Sequence, residues 1–143
     1  MFYLTSSPLE NLNLKEGFHS KKTGAFNSFE GLVRNHNDGK MVSALEYEAD
    51  ETLCQKEAEK IFKEAKKKFN IISLKCVHRI GKLSVGEMAV WIGVSASHRD
   101  DSFKACRYLI DEIKDRLPIW KKEHFADGHS NWVNGMAQAA ELK

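Results

Sequence analysis

The stretch Lys114-Asp115-Arg116-Leu117-Pro118-Ile119-Trp120-Lys121-Lys122-Glu123-His124 sets an apolar Ile-Trp pair among basic side chains, just past a proline. A lysine that is desolvated or crowded by other cations binds its proton less tightly and becomes usable for acid–base work. Lys114 is the first candidate. On a helix turning about 100° per residue it falls about 20° from Phe103, on the side shared by Cys106, Ile110, Ile113 and Leu117, with Arg107 at about 40°. Two readings are open. The stem can lie along the core edge while the ammonium snorkels into water. Alternatively, the amine sits in a cleft and requires an anionic partner, because an unpaired buried ammonium costs several kcal/mol.

A second candidate lies at the other end of the same helix. In Ser95-Ala96-Ser97-His98-Arg99-Asp100-Asp101, a strand hands over to a helix N-terminus, where free amides and the helix dipole favour an anion. Asp100 and Asp101 can satisfy those amides instead. His78-Arg79 reads as structural, since strand alternation groups His78 with Ile72, Leu74 and Cys76. His124 and His129 lack companions at a zinc-like spacing, so no metal is expected. Gly39-Lys40 lacks the preceding glycine of a phosphate loop.

The elements that must carry these groups follow from pattern. Phe2–Thr5 suits a short strand and Leu9–Ser20 a short helix with Leu9, Leu12 and Phe18 inward. Ala25–Arg34 and Met41–Ala49 alternate as strands, and the Asp38-Gly39 reversal between them predicts that they pair as a hairpin. Asp50 caps a helix to Phe69 whose buried stripe is Cys54, Ala58, Ile61, Ala65 and Phe69. Two strands, Ile71–Ile80 and Met88–Ser97, are joined through Gly81 and Gly86. A helix from about Asp100 ends at Leu117, because Pro118 restricts the residue before it and has no amide proton. Two short strands surround Asp127-Gly128. The fold class expected is α+β, with antiparallel hairpins and two main helices.

The chain has 143 residues, 42% hydrophobic and 29% charged, which predicts one globular domain over 1–143. The net charge of +2, from 22 basic and 20 acidic residues, is too small for nucleic-acid binding by bulk charge. Lys63, Lys66, Lys67 and Lys68 read as a solvated face. Cys54, Cys76 and Cys106 form no CxxC pair and fit packing roles in a reducing cytoplasm. No membrane-spanning run is evident.

The segments Gly24–Ala49, His78–Glu123 and Asp127–Val133, in order, resemble the large, catalytic subunit of molybdopterin synthase. The resemblance implies an α/β-hammerhead-like fold and a sulfurtransferase that places two sulfurs on cyclic pyranopterin monophosphate to form the molybdopterin dithiolene. It implies a small ubiquitin-like sulfur-carrier partner whose Gly-Gly tail ends in a thiocarboxylate. The assembly would be a heterotetramer around a homodimer of large subunits, with no cofactor. By matching position, Lys114 and Lys121 would be catalytic, and Arg34, His98, Arg99 and Lys121 would bind substrate. Some relatives carry an arginine after the Trp-Val motif; here Gly135 and Met136 stand in that region. That departure leaves an alternative, a non-catalytic module of the same fold that binds an anion or a ubiquitin-like tail. Trp120 would either anchor Lys121 or line the pterin pocket.

Overall fold

The computed structural model describes residues 1–134. The strands are β1 (Phe2–Thr5), β2 (Ala25–Leu32), β3 (His36–Asn37), β4 (Lys40–Ala49), β5 (Ile71–Arg79), β6 (Gly81–Ser84), β7 (Met88–Ala96), β8 (Ile119–Phe125) and β9 (Ser130–Asn134). Helices α1 (Glu51–Lys68) and α2 (Arg99–Arg116) separate β4 from β5 and β7 from β8. This is the α+β arrangement with two main helices that the pattern predicts.

The first sheet runs β1-β5-β7-β2. Strand β1 lies parallel to β5, while β7 is antiparallel to both β5 and β2. All nine residues of β7 are buried, because both faces of this central strand are covered. On one face, α1 and α2 close the main core, where Cys54, Ala58, Ile61, Leu109 and Ile113 meet Cys76, Ile92 and Val94. On the other, Leu9 and Phe18 fold over Val77, Met88 and Trp91. Lys75 Nζ holds that covering segment by donating to the Leu14 and Glu16 carbonyls at 2.8 and 2.9 Å.

The second sheet runs β3-β4-β8-β9, and β6 joins it on β4. Asp50 caps α1 through the Leu53 amide at 3.0 Å, as its position before the helix predicts. Arg116 ties the helices together, with contacts of 2.7 Å to Glu57 and 2.6 Å to Glu64.

Four expectations need correction. The strands β2 and β4 do not form a hairpin. The Asp38-Gly39 reversal is real, with φ of 50° and 77°, but it joins β3 to β4 by pairing Asn37 with Lys40. β2 leaves to pair with β7, and the apolar alternation on both strands fits either partner equally well. The predicted N-terminal helix shrinks to one 3-10 turn at Leu9–Asn11, since Leu12 is exposed. The connection after Gly81 contains a strand, β6, which the glycines concealed. Finally, the apolar face of α2 is rotated. Its centre is Ala105, Leu109 and Ile113, while Phe103 is 60% exposed. Lys114 therefore lies on the margin of the stripe rather than inside it.

The rotated face makes a direct comparison. Leu109→Ala should lower unfolding free energy by about 2–5 kcal/mol, through lost burial and a cavity. Phe103→Ala should change it by less than about 0.5 kcal/mol. Urea denaturation of both variants checks this, and the reverse order would restore the original phase of the helix.

Candidate active site

A cavity of about 440 Å³ opens where the C-terminal half of α2 meets both sheets. Gly31 of β2, Tyr47 of β4, His78 of β5, Lys114 of α2 and Lys121 of β8 are among its lining residues. Each side chain arrives by a simple rule. Strand alternation on β8 turns Lys121 and Glu123 inward, opposite Tyr47 and Leu45 of β4. The same alternation turns Trp120 and Lys122 outward, where Lys122 Nζ sits 5.3 Å from the Trp132 ring centre. Trp120 thus lies off the cavity wall. Gly31 keeps one wall thin: a Cβ there would come within 2.7 Å of Val90 Cγ1.

Lys121 is half-buried, and its proton is held less tightly than usual. Burial is the main cause; the Lys114 and Arg34 charges add to it, while Glu123 and Asp38 oppose it. The two other cations therefore lie within coulombic reach of Lys121. Lys114 is exposed to the cavity mouth rather than sunk in the core.

A buried carboxylate organises this charge. Glu123 is 3% exposed, and both of its oxygens accept from Asn37 Nδ2, at 2.9 and 3.1 Å. That contact fixes the amide, so Asn37 Oδ1 faces Arg34 and accepts from Nη2 at 3.3 Å. Tyr47 is pushed up to about 12, first by burial and then by Glu123, so its hydroxyl keeps its proton. His78 is pushed down to about 4 by burial, helped by Lys114 and opposed by its hydrogen bond to the Arg79 carbonyl. The cavity can hold an anion between two amines, with the Arg34 guanidinium nearby and the Lys121 proton held less tightly than usual.

The structure thus brings Lys114, Lys121 and Arg34 together. It leaves His98 and Arg99 at the opposite end of α2, both exposed. Lys114 comes fifteen residues after Arg99, about 22 Å along the helix at 1.5 Å per residue. Asp100 pairs with Lys104 at 3.0 Å and Asp101 accepts from the Asn70 amide at 3.3 Å. Neither caps the α2 amides, contrary to the competing role open to them. Among the described residues no cluster of acids, histidines or cysteines could hold a metal. Gly135 and Met136 lie outside the described residues. Pattern reading passed over Tyr47, Asn37 and Glu123, and treated His78 as structural. Glu123 had one usable signal, its place two residues from Lys121 on one strand face.

The profile of the "MoaE protein" family matches residues 4–116. The chain belongs to the MoaE family. The "Molybdopterin synthase catalytic subunit" of Thermoplasma volcanium is 41% identical over 129 residues, covering 90% of this chain and 94% of that one. The protein of the same name in Synechococcus elongatus is 41% identical over 141 residues, covering 98% and 86%. The crystal structure of molybdopterin synthase from Staphylococcus aureus superimposes with a TM-score of 0.83 at 36% identity, covering 91% of this chain and 94% of that one. This MoaE chain therefore has the fold that the resemblance implied.

Two outcomes follow from the charges. In Lys114→Met the Lys121 proton should be held more tightly, and in Glu123→Gln less tightly; the ¹⁵N shift of Lys121 Nζ against pH reads both, and opposite movements would separate these groups. For His78, the unfolded chain binds more protons than the folded one between pH 4 and 6.5. Stability should therefore fall by roughly 3 kcal/mol as pH drops through that window. His78→Asn should remove most of that slope in denaturation measured across the range, and an unchanged slope would assign it to other groups.

Proposed function

We propose that this chain, acting as one domain over residues 1–143, is the catalytic subunit of a molybdopterin synthase and works as a sulfurtransferase. The observation that carries the reading is the cavity lined by Lys114 and Lys121, with the Arg34 charge within coulombic reach of Lys121. The two reactants are both anionic: cyclic pyranopterin monophosphate carries a phosphate, and the Gly-Gly tail of a small ubiquitin-like subunit carries a thiocarboxylate. Water screens their repulsion, whereas a closed pocket must offset it with fixed cations.

In this reading Lys114 stands at the thiocarboxylate, balancing charge and moving a proton as the sulfur bonds to a substrate carbon and displaces an oxygen there. Water then cleaves the acyl C–S bond, leaving the sulfur on the pterin and a carboxylate on the tail. Lys121, with its loosened proton, assists as the second base. Arg34 grips the phosphate with its planar fork, held in place through Asn37. The sulfur nucleophile belongs to the partner, so no cysteine of this chain has to act; Cys54, Cys76 and Cys106 are free and buried, with their thiols held protonated by burial.

His98 and Arg99 lie too far along α2 to reach the same cavity. They complete a substrate site in this reading only from a second copy, as in a homodimer of large subunits within a heterotetramer. The chemistry needs no cofactor, and a cytoplasmic setting suits the free thiols. No helix among the described residues is long and apolar enough to cross a membrane.

Single turnover with the thiocarboxylated small subunit and cyclic pyranopterin monophosphate, followed by mass detection of the dithiolene, tests the reading. Lys114→Ala should cut product at least about a hundredfold with its melting temperature preserved. Mixing Lys114→Ala with an Arg99→Ala chain should recover product, because one site of a mixed dimer is then intact. Full turnover by Lys114→Ala would remove Lys114 from the mechanism. No product from the native chain would favour the non-catalytic, tail-binding module.

A further inference from the structure

A bound tail brings more than a charged end into the cavity. Its last peptide groups carry N–H donors, and a buried N–H without an acceptor costs about 1–3 kcal/mol. As ammoniums Lys114 and Lys121 are donors only, and an amine that must stay free to take a proton cannot also hold a peptide N–H. Asp111 and Asp115 of the lining can accept, but Asp111 already takes a bond from Arg107 Nε at 2.9 Å. A carboxylate beside a thiocarboxylate would also repel it. The place calls for an acceptor without charge.

Two uncharged acceptors line the cavity: the Tyr47 hydroxyl, which can turn to donate or accept, and His78, whose accepting nitrogen is fixed. Its Nδ1 lies 2.7 Å from the Arg79 carbonyl oxygen. A carbonyl can only accept, so Nδ1 carries the proton. Burial and the nearby Lys114 charge keep the ring neutral down to about pH 4. A neutral ring protonated at Nδ1 leaves a bare lone pair on Nε2. Among the described residues nothing bonds to Nε2, yet it is not one of the enclosed side-chain atoms left without a partner. The ring borders the cavity, and the Tyr47 ring, edge-on at 5.0 Å between centres, restrains it there.

We propose that His78 Nε2 accepts a peptide N–H from the Gly-Gly end of the bound small subunit, and so holds the thiocarboxylate in register with Lys114 and Lys121. This rests on the tail-binding reading of the cavity given above. It gives a residue first read as structural a direct contact with the partner. It also explains why an imidazole suits this strand position better than a carboxylate or a further lysine.

The test is a double-mutant cycle between side chain and tail. The small subunit is prepared by peptide ligation with Gly-Gly, or with N-methylglycine at one or the other of its last two positions, and binding is measured by calorimetry. N-methylation at one of the two positions should weaken binding to the native chain about tenfold. His78→Asn keeps a donor for the Arg79 carbonyl but loses the Nε2 acceptor, and should bind both tails within about twofold of each other. His78→Gln, with an acceptor near the Nε2 position, should restore discrimination. Persistence of the tenfold loss in His78→Asn would mean that the methyl group merely clashes, and would overturn the proposal. So would equal binding of all tails by the native chain. Should His78→Asn fail to fold, the ¹⁵N shift of His78 Nε2 in the native chain decides: movement on adding the small subunit supports the contact, and constancy overturns it. If the unmodified small subunit does not bind the native chain at all, the tail-binding reading itself fails. That outcome is distinct from tight binding that ignores His78.

Discussion

Like charges do not gather unless something holds them, and here the holder is a buried carboxylate. Glu123 sits almost fully enclosed beside Lys121, bound through both oxygens by Asn37. An isolated carboxylate would be costly in that place. Beside Lys121, and one amide away from Arg34, it lowers the cost of bringing those cations together. The reverse holds as well, since the cations make the buried carboxylate tolerable. The ionic cluster therefore stands or falls as a unit, and single substitutions within it should be strongly non-additive.

The fold serves that unit by bringing distant segments to one place. Arg34 and Asn37 come from the turn region before β4, Lys114 from α2, and Lys121 and Glu123 from β8. β4 is the common neighbour, pairing with β3, β6 and β8. The helical core supplies rigidity: Leu109 and Ile113 are buried within about a turn and a half of Lys114 on the same helix. The amine is thus positioned by packing below it and left free at its tip.

Much of this could be read from pattern, because local rules governed it. The helix ends at Asp50 and Pro118, the α1 stripe and the β8–β9 reversal are all local signals, and the structure agrees with them. Strand partnership is not local, which is why β2 and β4 were paired wrongly: both alternate, and alternation does not name a partner. The phase of α2 was missed because one large apolar residue, Phe103, was used as its origin although it faces water. Lys114 is a candidate from its place on the helix face, whereas the roles of Lys121 and Arg34 come from family likeness rather than from periodicity. Asn37 and Glu123 escaped because a buried acid–amide pair between residues so distant in sequence leaves no spacing signal. The resemblance groups His98 and Arg99 with the lysines, yet a straight helix keeps them apart within one chain.

The central claim is that the cationic cavity receives the sulfur-bearing end of a partner tail. A crystal structure of this chain with the thiocarboxylated small subunit, with the terminal sulfur located by its anomalous signal, tests it most directly. The account predicts the sulfur within about 4 Å of an amine of Lys114 or Lys121. A sulfur resolved elsewhere on the surface, with the cavity empty, would contradict it.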